Sequence, residues 1–280
     1  MATIGIFDSG LGGLSVLRAI FDILPNEKYL YFADSAFCPY GDKTAEYIQE
    51  RCRTISEDLI RQGADIIVVA CNTATAAAIA TLRRDYSDPS DPQVRERVQA
   101  LSNGYHDHIS FIGMEPAVKP AALGTKSGVI GVLATAGTLK GSKYLKTKGN
   151  FEDNCHICEH VGQGFVELVE KGQLSGEETE AVVRASLQPL LDHGTDTIVL
   201  GCTHYPFLVE TMQKIAPKGI RFIDPAPAVA RHLTDVMRRD GIQISRGNEN
   251  GSPKRPAVKL MSSGDPGPLE RLFNLIYPRR

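Results

Sequence analysis

Seven short apolar runs recur along the chain: TIGIF (3–7), YLYFA (29–33), DIIVVA (65–70), ISFIG (109–113), GVIGVLA (128–134), DTIVLG (196–201) and RFID (221–224). Between them lie segments with helical spacing, such as Leu14, Leu17, Ile20, Phe21 and Leu24. Runs this continuously apolar imply strands buried on both faces, so the alternation predicts an α/β fold with mostly parallel sheets. In such folds ligands collect at the carboxyl ends of the strands.

An internal echo sharpens the expectation. IGIFDSG at 4 to 10 resembles IGVLATAG at 130 to 137, and VVACNT at 68 to 73 resembles VLGCTH at 199 to 204; the offsets are 126 and 131 residues. Two strand-to-loop signals in the same order predict two similar, pseudo-symmetric halves with the active site in the cleft between them. A duplicated scaffold without a shared site is the alternative. The expected division is 1–100 for the first half, with about 215–280 packing back on it, and 101–214 for the second.

With 31 basic against 33 acidic residues, nothing draws the chain to nucleic acid or to an anionic membrane. No apolar run reaches membrane-span length, and MATIGIFDSG lacks the features of a signal peptide, so the cytoplasm is the expected location. Six cysteines in 280 residues are too sparse for a disulfide scaffold.

Two of those cysteines stand apart. Cys71 and Cys202 each follow a buried run and precede a helical segment, where free N–H groups and the helix dipole favour thiolate over an ordinary pKa of about 8.5. Either alone reads first as a buried structural cysteine; the repeated context reverses that preference toward chemistry. Asp8 and Ser9 end the first strand ahead of GLGGLSVLRAI, and Asp8 is equally a helix cap. The glycines there lack the Lys-Ser/Thr of a phosphate loop and the G-x-G-x-x-G spacing. CPYGDKT (38–44) is a turn that exposes backbone amides, with Cys38 read as structural. His204, two residues after Cys202, is placed to exchange a proton with that thiol. CHICEH (155–160) is the rival cluster, but no second ligand pair completes a zinc site. Residues 83–108 read as a charged surface loop with room for one short helix, and 245–257 as an exposed turn.

Taken together, IGIFDSGLGGLSVL, ADSAFCPYGDKT, VVACNTATAAAI, GMEPAVKPA, GVLATAGT, LGCTHYPFL and SSGDP resemble the cofactor-independent aspartate/glutamate racemase family, in family order from residue 4 to about 266. The resemblance implies that Cys71 and Cys202 face opposite sides of a substrate α-carbon, one abstracting its proton as the other donates. Sulfurs so placed would stand about 7 Å apart, beyond disulfide reach. It implies Asp8 beside Cys71 and His204 beside Cys202 as assisting groups, with Glu170 near His204. Asp8, Ser9, Tyr40, Gly41, Asn72, Thr73, Thr135, Thr203 and His204 are the implied substrate-binding positions. VGQG stands where the family usually has Ala-Cys-Pro before the Glu170 block, and TLKGSKY replaces its usual Thr-hydrophobic-x-Ser.

The implied activity is interconversion of L- and D-glutamate for peptidoglycan, with aspartate or several amino acids as the alternative substrates. No metal or cofactor is called for: no pyridoxal phosphate cup and no Schiff-base lysine is recognisable. A one-thiol lyase or decarboxylase is disfavoured by the second cysteine, and a gyrase-binding role by the lack of basic or aromatic clusters. A homodimer is the expected assembly, and an activating cell-wall precursor is left open.

Overall fold

A computed structural model describes residues 1–245 and 255–278. Nine strands form two sheets in which every pairing is parallel. The first sheet contains β1 (Thr3–Asp8), β2 (Lys28–Ala33), β3 (Ile66–Val69) and β4 (Ser110–Ile112). The second contains β5 (Val129–Ala134), β6 (His156–Val161), β7 (Thr197–Gly201) and β8 (Arg221–Ile223); β9 (Ala257–Ser262) returns to the first. Their spatial orders are β4-β3-β1-β2-β9 and β6-β5-β7-β8.

The order explains the echo. β1 lies between β3 and β2, and β5 lies between β7 and β6, so the repeated sequences occupy equivalent central positions. Ile4, Ile6 and Phe7 of β1 are fully buried, as are all of β3 and all of β7. Helices on both faces supply that burial, which is why these strands read as unbroken apolar runs.

All seven runs in the sequence form strands; β6 and β9 escape the reading. Both are edge strands, and β6 buries only Ile157 and Cys158, with His156, Glu159, His160 and Val161 partly or fully exposed. Sheet membership also places the crossings later than residues 100 and 214. β4 pairs with β3, burying Phe111 and Ile112, and β8 pairs with β7. The chain therefore passes to the second half after β4 and returns after β8, where the helix Ala226–Arg239 packs on the helix Leu14–Ile23.

The stretch 83–108 holds the one short helix expected within it, and the end of the helix before it. The helix Asn72–Tyr86 runs into it, with Arg83 and Arg84 in its last turn, where cations suit the dipole. A second helix, Pro92–Leu101, starts on an Asp91 cap with Pro92 in its first turn, and buries Val94 and Val98. Of the expected turn at 245–257, residues 246–254 lie outside the described residues.

Ile6→Ala, at the centre of the first sheet, is expected to lower the unfolding free energy by about 3 kcal/mol in urea denaturation. A loss below about 1 kcal/mol would show that β1 is not core.

Candidate active site

Each half delivers a thiol from the carboxyl end of an equivalent strand. Cys71 follows β3 and caps the helix Asn72–Tyr86, its Sγ accepting the Ala74 N–H at 3.4 Å. The same thiol contacts Ser9 Oγ at 3.7 Å. Cys202 follows β7, and Thr203 and His204 lead into a single 3-10 turn, Tyr205–Leu208, with Pro206 at its start. His204 Nδ1 stands 3.7 Å from Cys202 Sγ, and its Nε2 stands 2.7 Å from Glu170 Oε1. Glu170 ends the helix Phe165–Glu170, and the same oxygen accepts the Leu11 N–H at 2.7 Å.

Cys71 and Cys202 line one narrow cavity, together with Ser9, Tyr40, Gly41, Asn72, Thr73, Thr135, Thr203 and His204. Its volume is about 20 Å³, room for roughly one water molecule. Asp8 and Glu170 do not line it; they stand behind the residues that do. Asp8 is fully buried, accepting the Ser9 N–H at 2.8 Å on one oxygen, and the Gly13 N–H at 2.6 Å and the Thr203 hydroxyl at 3.1 Å on the other. It therefore meets Cys71 by way of Ser9, and it both organises the turn ahead of the first helix and reaches the second half. Asn72 is 4% exposed, and neither its Nδ2 nor its Oδ1 has a partner among the described residues. Buried amides are rarely left so, and this one lines the cavity.

The electrostatics depart from the expectation of a ready thiolate at Cys71. Burial pushes that thiol well above its ordinary value, the Asp8 charge adds to the rise, and the Ala74 N–H and Ser9 only partly oppose it. Burial also raises Asp8, against the His204 charge and the two N–H donors. For His204, burial favours the neutral ring, but the hydrogen bonds to Cys202 and Glu170 and the charges of Cys202 and Asp8 win and hold its proton.

Residues missed in the sequence complete the walls: Pro39, Thr138, Val166 and Gly201. Thr138 lies in the quoted GVLATAGT block and Pro39 in CPYGDKT, so block membership was their available signal. Tyr40 is held from behind by Asp34, which lies in the ADSAFCPYGDKT block, and by Arg51, which has no motif of its own. Its hydroxyl donates to Asp34 Oδ2 at 2.5 Å, and Arg51 grips the same carboxylate through Nε at 2.9 Å and Nη2 at 2.7 Å. Arg51 also stacks over the Phe37 ring at 4.0 Å.

The rival cysteine pair is split by the sheet. Cys155 packs in the core around Tyr144 and Ile157, whereas Cys158 packs in the large core on the other face with Phe165 and Leu187. Residues three apart on an extended strand point to opposite sides, so these two cannot share a metal or a disulfide. Cys38, expected to be structural, lies beside the active site: its Sγ, a Glu170 oxygen and a His204 nitrogen are all within 4.8 Å of one another.

Two parallel-sheet halves presenting one thiol each to a common cavity place the chain in the class of two-half α/β isomerases. Comparison with known proteins makes that specific. The sequence matches the Asp/Glu/Hydantoin racemase family over residues 4–233. It is 43% identical to a glutamate racemase of Stutzerimonas stutzeri over 99% of this chain and 94% of that protein. A glutamate racemase of Pseudomonas aeruginosa is 42% identical over the same shares. Among solved structures, Escherichia coli glutamate racemase, in complex with L-glutamate and the activator UDP-MurNAc-Ala, superposes with a TM-score of 0.78 at 29% identity, covering 99% of this chain and 95% of that one. The chain belongs to the Asp/Glu/hydantoin racemase family.

Removing the Arg51 clamp leaves the buried Asp34 charge unpaired. Arg51→Ala is expected to cost about 2 kcal/mol in urea denaturation, less than the 3–5 of a fully buried pair because the guanidinium keeps some contact with water. An unchanged unfolding midpoint would show that Asp34 does not depend on this partner.

Proposed function

We propose that this chain is a glutamate racemase that moves protons between its two cysteines and opposite faces of the substrate α-carbon. The observation that carries the reading is the single cavity lined by both Cys71 and Cys202. Inverting a stereocentre by proton exchange needs a base on one face and an acid on the other, and a thiol can serve as either. One thiolate takes the α-proton, the opposite thiol returns its own, and the roles exchange with the other enantiomer.

His204 and Glu170 back Cys202: the ring holds its proton between sulfur and carboxylate. Asp8 backs Cys71 through Ser9. The free amide of Asn72, with Thr73, Thr135, Thr203, Ser9, Tyr40 and Gly41, supplies donors and acceptors for the substrate's carboxylate and amino groups. Donors aimed at the carboxylate stabilise the charge that develops when the α-proton leaves. The closed cavity strengthens each of these interactions by excluding water.

The substrate assignment is supported by the glutamate racemases at 42–43% identity over nearly the whole chain. With it comes a place in the cytoplasm, supplying D-glutamate to peptidoglycan as a homodimer, with a UDP-linked cell-wall precursor like that bound to the Escherichia coli relative as activator. No helix among the described residues is long and apolar enough to cross a membrane.

Cys71→Ala and Cys202→Ala are each expected to lower racemization of L-glutamate by at least about 1000-fold, followed by circular dichroism. In deuterated solvent, label should enter the product enantiomer first; early label in recovered substrate would contradict two opposed thiols. L-Aspartate assayed alongside separates glutamate specificity from a broader one.

The pH profile follows from Cys71. The active form carries one proton shared between the two thiols, so the alkaline limb of kcat/KM reports loss of that last proton, a property of the pair. With Cys71 pushed up by burial and Asp8, kcat/KM should not fall between pH 8 and 9. A decline beginning below pH 8.5 would contradict the sign of that shift.

A further inference from the structure

Cys38 is the one thiol near the cavity to which the reaction gives no work. It is partly exposed, and its Sγ lies within 4.8 Å of both a Glu170 oxygen and a His204 nitrogen. These three ligand atoms come from three separate segments: the turn after β2, the end of the helix Phe165–Glu170, and the loop after β7. We propose that Cys38, Glu170 and His204 form an inhibitory binding site for a thiophilic divalent cation of the zinc type.

The donor set selects the ion. A thiolate and an imidazole with one carboxylate suit zinc, whereas magnesium and calcium require oxygen ligands. In a tetrahedral zinc centre with bonds of about 2.0–2.3 Å, neighbouring ligand atoms stand about 3.5 Å apart. His204 Nε2 and Glu170 Oε1, 2.7 Å apart, must therefore open by about 1 Å, while Cys38 Sγ, within 4.8 Å of that pair, closes on them. Nothing protrudes between the ligands from Gly10, where an added Cβ would lie 2.1 Å from Glu170 Oε1 and 3.0 Å from Cys38 Sγ. The charges also balance: one thiolate and one carboxylate neutralise a doubly charged ion, which a buried site needs.

Of the three ligands, Glu170 also reaches outward, apart from the substrate cavity. Glu170 lines an outer cavity of about 350 Å³ together with Leu11, Leu272 and Arg271. Lys171 and Arg271 line it too, so they repel a free cation, and binding depends on Cys38 giving up its proton. The Cys38 S–H and the proton held between His204 Nε2 and Glu170 are released to water as the sulfur–metal, nitrogen–metal and oxygen–metal bonds form. No electron is transferred.

Inhibition rests on the reading that His204 and Glu170 serve Cys202; binding does not. A cation on His204 Nε2 takes the ring from its proton-holding work. It also ties Cys38 in the first half to Glu170 and His204 in the second.

The experiment compares the intact chain with Cys38→Ser and Cys38→Ala, each checked for fold by circular dichroism. Both variants should racemize normally without metal. The concentration of ZnCl₂ giving half-inhibition should rise at least tenfold in both. Titration with CoCl₂ should give a thiolate-to-cobalt charge-transfer band in the intact chain and none in either variant. Equal zinc sensitivity in the variants, absence of the band in the intact chain, or its persistence without Cys38 would each overturn the site. The band is read without turnover, so a chain that fails to racemize glutamate but shows a Cys38-dependent band overturns the functional reading and leaves the site standing.

Discussion

A carboxylate with no surface in water lies where the two halves meet, and the geometry of the active site depends on how it is satisfied. An ionised Asp8 without partners would cost several kcal/mol. The Ser9 and Gly13 N–H groups meet part of that need from its own turn, and the Thr203 hydroxyl meets the rest from the other half. Gly13 can approach because it has no side chain: a Cβ there would sit 2.8 Å from Asp8 Cβ and 2.9 Å from the Tyr31 hydroxyl. Satisfying Asp8 thus fixes the turn that carries Ser9 and simultaneously docks the loop that carries Cys202.

The halves share a strand plan, yet their thiols have different surroundings. Cys71 has a helix-terminal N–H, a serine and a nearby anion; Cys202 has an imidazole backed by a carboxylate. The anion beside Cys71 adds to the upward shift that burial gives that thiol. A duplicated fold supplied equivalent positions, and divergence of the flanking residues made them unequal. Glu170 joins the two systems, since the oxygen that holds His204 also accepts the Leu11 N–H from the first half.

The fold was legible where burial forces a simple code. Strands covered on both faces, such as β3 and β7, read as unbroken apolar runs, whereas the edge strands β6 and β9 read as mixed and were missed. The site was legible where chemistry sits at strand ends, as with Cys71, Cys202, Asp8 and His204. Asp34 shared the signal of its ADSAFCPYGDKT block, but Arg51 gave no sign, because a residue that acts on Tyr40 only through Asp34 has no pattern of its own. The thiol chemistry of Cys71 was also misjudged. Helix position is written in the sequence, but the burial that overrides it, and the placing of Asp8 close by, are products of tertiary packing.

A cavity with room for about one water cannot admit an amino acid without the halves parting, and the contacts across the cleft are unequal in strength. At the rim, the Thr73 and Thr135 hydroxyls meet at 2.9 Å, and the backbone at Gly137 lies against Gly41. A neutral hydroxyl pair contributes only about 1 kcal/mol net, and two glycines offer no side chains to interlock. Deeper in, the bonds involve charged groups: Thr203 to Asp8, Leu11 to Glu170, and His204 to Glu170. Charge-assisted bonds of this kind are about twice as strong as neutral ones. The charged contacts of Asp8 and Glu170 therefore hold the halves together more firmly than the neutral ones beside Tyr40 and Gly41.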